Sequence, residues 1–72
     1  MRAFLIIDTE DYRKEIEVTN SQVKSLTPII KKINKNQSDY RSYDSFELFQ
    51  QLLTSHEIDD EDITSINIHY HS

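Results

Sequence analysis

The chain has 72 residues, a net charge of −5, no cysteine and no glycine. One domain of this size buries only about 60% of its unfolded surface, and without cysteine it has neither disulfides nor thiolate metal sites, which fits a reducing cytoplasm. Lack of glycine excludes the P-loop, the dinucleotide-binding turn and the serine nucleophile elbow, each of which needs glycine for close backbone approach or positive φ.

Arg2 to Ile7 reads as a strand, with Ala3, Leu5 and Ile7 on one face and Phe4 and Ile6 on the other. Apolar residues on both faces place it at the centre of a sheet. The run is too short, and too closely followed by Asp8 and Glu10, for a signal peptide, and nothing approaches a membrane span. Asp8 to Asp11 is turn-like. Beyond it, Tyr12, Ile16 and Val18 alternate with Arg13, Glu15 and Glu17, as in a half-buried strand that completes a hairpin.

Thr19 and Gln22 have capping-box spacing and open a helix. Val23, Leu26, Ile29, Ile30 and Ile33 form its apolar stripe. Pro28 removes one backbone hydrogen bond; because the stripe runs through it, one kinked helix is expected rather than two. Asn34 and Asn36 are placed to serve its C-terminal turn in place of glycine. Gln37 to Tyr43 is a loop. Asp44 and Glu47 repeat the capping-box spacing, with Tyr43 and Leu48 set for a hydrophobic staple. Phe46, Phe49, Leu52 and Leu53 then give a second helix its buried face, and His56 lies at its end. Last, Ile63 to Tyr70 alternates Thr64, Ile66, Ile68 and Tyr70 with Ser65, Asn67 and His69, a third strand.

The order is ββααβ. Taking each element as one crossing of the sheet gives an α+β fold: a three-stranded mixed sheet, order 2-1-3, with two helices packed on one face.

Charge is unevenly spread, with a balance of +2 over residues 1–36 and −7 over residues 37–72. An acidic chain is repelled by phosphate backbones, which disfavours nucleic acid as a partner. The basic exception is Lys24, Lys31 and Lys35 on one side of the first helix with Lys32 beside them, either a phosphate-binding stripe or an ordinary wet face. Glu57, Asp59, Asp60, Glu61 and Asp62 put five acids in six residues. They lack the alternation and central glycine of a calcium loop. They read as a solvated turn, or as a patch in which Asp59, Asp60 and Asp62 dock on a basic partner.

Tyr40, Arg41 and Tyr43 are candidate protein-binding residues, since tyrosine and arginine are enriched at hot spots and loops carry function. If the helices cover Ala3, Leu5 and Ile7, then Phe4 and Ile6 lie on the open face, a candidate homodimer surface among Arg13, Glu15, Asn67 and His69. His69 and His71 share a strand face, but two imidazoles fall short of the three or four ligands a metal needs. No serine has a histidine and an acid at a telling spacing, and no cofactor motif is present, so no enzyme is expected.

Residues with AT-rich codons (Ile, Asn, Lys, Tyr, Phe) number 26, against five Gly, Ala, Pro and Arg, which points to a low-GC genome. In general character the chain resembles small accessory proteins of bacteria and their phages, although no motif carries that likeness. The expectation is a cytoplasmic, non-enzymatic protein-interaction module with an unidentified protein partner. Its alternatives are an acidic inhibitor imitating nucleic acid on a basic surface, and a small nucleic-acid-binding protein that uses the lysine stripe.

Overall fold

Alternating burial along the first strand sets the architecture. In the computed structural model, which describes all 72 residues, β1 (Arg2–Thr9) lies between β2 (Arg13–Val18) and β3 (Ile63–His71) in the order β2-β1-β3. Ala3, Leu5 and Ile7 are buried, while Phe4 and Ile6 are half-buried on the opposite face. Register sets Leu5 between Ile16 and Ile68, and Ile7 beside Ile66, so all three strands turn an apolar row to one side. α1 (Asn20–Asn34) and α2 (Phe46–Ser55) cover that side. Val23, Leu26, Ile29, Ile30 and Ile33 from α1 and Phe49 and Leu53 from α2 complete a single core cluster of 15 buried residues.

Both ends of α1 use polar side chains where many helices use glycine. At its start Thr19 accepts from the Gln22 amide at 3.1 Å, and the Gln22 side chain accepts from the Thr19 amide at 2.8 Å. Pro28 lies inside one uninterrupted helix. At its end Gln37 N–H bonds to Lys32 O and Asn36 N–H to Ile33 O, a Schellman motif with Asn36 at φ 57°. α2 ends the same way, with Ile58 N–H on Leu53 O, Glu57 N–H on Thr54 O, and Glu57 at φ 58°. Asparagine tolerates that left-handed backbone, whereas glutamate suffers a Cβ clash. Glu57→Gly is therefore expected to raise stability by roughly 0.5–1 kcal/mol, read from a urea midpoint, with Glu57→Ala near neutral. A loss on Glu57→Gly would show that the turn carries no strain.

The structure differs from the sequence expectation at two points. The sheet is antiparallel throughout, not mixed: β1 pairs antiparallel with both β2 and β3. The second helix does not count as a crossing, because the excursion it belongs to closes on itself. A 3-10 turn at Asp39–Ser42 precedes α2 and another at Asp60–Asp62 follows it. The Tyr40 hydroxyl donates to Asp60 Oδ2 at 2.8 Å, joining the two turns. β3 thus starts near where α1 ended, beside Thr9, and runs back along β1. Asp44, moreover, does not cap α2. Phe46 N–H bonds to Tyr43 O, this turn makes Ser45 the N-cap residue, and no side chain caps that end.

Candidate interaction surface

The loop between the helices and the acidic run, far apart in the sequence, lie against each other. Tyr40 is only 5% exposed, its ring packed edge-on to Phe46 at 5.9 Å and Phe49 at 6.4 Å. Burial first, then the Asp60 carboxylate, hold its phenol above the usual value near 10, so at neutral pH it remains a hydrogen-bond donor. Arg41 donates to the same Asp60 oxygen at 3.0 Å, with a longer 3.5 Å contact to Glu61. Asp59 accepts from the Glu61 amide at 3.0 Å and caps the second 3-10 turn. Tyr43 is half-buried against the core, and Asp62 is exposed. Of the candidates in these two segments, Tyr40, Arg41, Asp59 and Asp60 already have partners within the chain.

On α1, Lys32 pairs with Asp39 at 3.3 Å, and the Asp39 carboxylate raises its pKa. Lys24, Lys31 and Lys35 are exposed and form no ion pair. His56 closes α2, apart from the other two histidines, and no group of three or more His, Asp or Glu side chains is arranged to hold a metal ion. One feature has no signal in the sequence. The hairpin turn at Glu10 and Asp11 faces Glu61 and Asp62 across a surface depression that Tyr12 and Ile63 also line. Nothing in the local spacing of either segment announces that meeting.

The remaining surface is the face of the sheet that no helix covers. β1 contributes Arg2, Phe4, Ile6 and Asp8; β2 contributes Arg13, Glu15 and Glu17; β3 contributes Ser65, Asn67, His69 and His71. Ion pairs stand at both ends, Arg2 with Glu17 at 2.8 Å and Arg13 with Asp8 at 2.6 Å. Hydrogen bonds from these arginines hold the Asp8 and Glu17 carboxyls below their ordinary values. Phe4 is flanked by the Arg2 guanidinium at 5.3 Å and the His71 ring at 5.0 Å. Ile6 stands between Glu15 and Asn67 and, like Phe4, is half-buried. The arrangement is an apolar centre within a charged frame, with no cleft and no constellation for acid–base or nucleophilic chemistry.

No family model, curated protein or solved structure matches the chain. No helix is long and apolar enough to cross a membrane.

Proposed function

We propose that this chain is a small non-enzymatic protein-interaction module, cytoplasmic and an accessory protein of a low-GC bacterium or its phage, that binds a protein partner on the open face of its sheet. One observation carries the reading: Phe4 and Ile6 stand half-buried at the centre of that face, while Tyr40 is buried in the core and the exposed Arg41 is paired with Asp60. An apolar centre with a polar rim is the anatomy of a protein contact. Ile6 also has room to accept a change, since its side chain lies outside the 15-residue core.

The test is retention from lysate of the source organism after nuclease treatment, comparing tagged wild type with Ile6→Glu. A protein held by wild type and lost at least tenfold on Ile6→Glu, with circular dichroism unchanged, is the expected result. Equal retention by both proteins would reject the open face.

A second reading has its own support. Glu10 and Asp11 join Glu61 and Asp62 at one end of the sheet, which extends the acidic surface beyond the run itself. An acidic inhibitor docking there on a basic partner would lose its grip with rising salt and with Asp62→Asn, and would be indifferent to Ile6→Glu.

A further inference from the structure

The two edges of the sheet differ in kind. β2 has four charged residues among six: Arg13, Lys14, Glu15 and Glu17. β3 has nine residues and, with histidine neutral, no charge at all, in a chain that is 29% charged. Charged side chains on an edge strand deter pairing with another chain, so only β2 is guarded.

β3 is also open along half its length. In an antiparallel ladder, alternate residues send both backbone groups to the same side. Asn34 holds Ile66 from outside, donating to its carbonyl at 2.8 Å and accepting from its amide at 2.9 Å. Ile68 and Tyr70 therefore also point their N–H and C=O groups outward. β3 has no strand beyond it, and no other backbone hydrogen bond takes either residue.

We propose that a second copy of this chain pairs antiparallel with this edge, about a two-fold axis at His69. The free stretch lies between Ile66, occupied by Asn34, and His71, the last residue of β3. Its two free outward-facing residues are Ile68 and Tyr70, and His69 lies midway between them. Two-fold pairing there sets Ile68 opposite Tyr70 of the second copy, exchanging both backbone bonds, and His69 opposite itself. Aliphatic and aromatic side chains are favourable cross-strand neighbours, and Tyr70, 49% exposed in the single chain, gains such a neighbour. The same operation centred on Glu15 of β2 would oppose like charges, so the neutral composition of β3 is what makes a second copy the fitting occupant. Two three-stranded sheets become one continuous sheet. Its open faces stay free for another partner, so this pairing and the open-face reading stand or fall separately.

Sedimentation equilibrium of the full chain tests the pairing, over about 10 µM to about 1 mM, where so small a contact associates. The weight-average mass is expected to climb from 8.6 kDa toward twice that value. Tyr70→Pro removes one outward N–H without touching the ladder to β1, and His69→Glu sets two like charges on the axis. Both are expected to stay monomeric with unchanged circular dichroism, while Ile6→Glu dimerises like wild type. If Tyr70→Pro loses the fold, His69→Glu decides. A constant 8.6 kDa for wild type, dimers that survive His69→Glu, or dimers lost on Ile6→Glu would each overturn the proposal.

Discussion

Tyr40→Ala is expected to cost about 3–5 kcal/mol, the usual range for removing a buried aromatic ring. At roughly 0.05–0.15 kcal/mol per residue, a domain of this length has only about 4–11 kcal/mol in total, so the variant is expected to be largely unfolded or to melt far below wild type. The ring is 5% exposed and packs on Phe46 and Phe49, and its loss also strips Asp60 of a donor. Tyr40→Phe keeps the ring and is expected to cost only about 1 kcal/mol. Thermal and urea melts separate the two. A Tyr40→Ala protein that melts like wild type would remove Tyr40 from the core, and with it the explanation of why the excursion through α2 closes. Loss of binding on Tyr40→Ala, taken alone, reports on folding and not on a contact.

Asn34→Asp is the second large effect, expected to cost about 2 kcal/mol or more at neutral pH. The wild-type carboxamide gives one hydrogen bond to the Ile66 carbonyl and takes one from its amide, as a neighbouring strand would. Aspartate at that position loses the donor and turns a charged oxygen toward the carbonyl. That contact disfavours the ionised form, so the carboxyl's folded pKa would lie above its unfolded value near 3.9. A raised folded pKa means the native state binds the proton more tightly, and stability recovers as pH falls. Once protonated, the side chain regains a donor. Urea midpoints at pH 7 and near pH 3, each measured against wild type, are expected to show the deficit shrinking at the lower pH. A deficit independent of pH would mean that residue 34 does not face the Ile66 carbonyl.

Features with a local cause are legible in the amino-acid sequence. Apolar residues on both faces of Arg2 to Ile7 put β1 at the centre, and period-two alternation marks β2 and β3. The Thr19–Gln22 box and the stripe through Pro28 define α1, and Asn36 does take the positive φ of its C-terminal turn, whereas Asn34 turns its side chain to Ile66 of β3 instead. The direction of β3 is not legible, because it depends on where the chain returns after α2, and the meeting of Tyr40 with Asp60 there joins residues far apart in the chain. Glu57 reads only as an acid, since nothing in its spacing shows that it ends α2 in a left-handed turn. Asp44 and Glu47 have the right separation, but Phe46 N–H bonds to Tyr43 O in a turn that places the helix start one residue later.

The same limit applies to the candidate surface. Tyr40, Arg41 and the run Glu57 to Asp62 carry residue types that recur at interfaces, and a loop tyrosine has the same one-letter neighbourhood whether its ring is out or in. Packing places Tyr40 against Phe49, and the Arg41 guanidinium meets Asp60 and Glu61 within the chain. Phe4 and Ile6, by contrast, follow from strand alternation alone, because a central strand covered on one side must leave its other row open.

The Tyr40 loop and the acidic run are each other's partners, and the open sheet face carries no such internal engagement of its apolar centre. A double-mutant cycle with Tyr40→Phe and Asp60→Ala, read from urea unfolding, measures that contact. Residues in direct contact couple by about 0.5–3 kcal/mol, and about 1 kcal/mol is expected between these two. Additivity within about 0.3 kcal/mol would contradict it: the Tyr40 hydroxyl would then make no contact with Asp60 in solution and would be free to meet a partner.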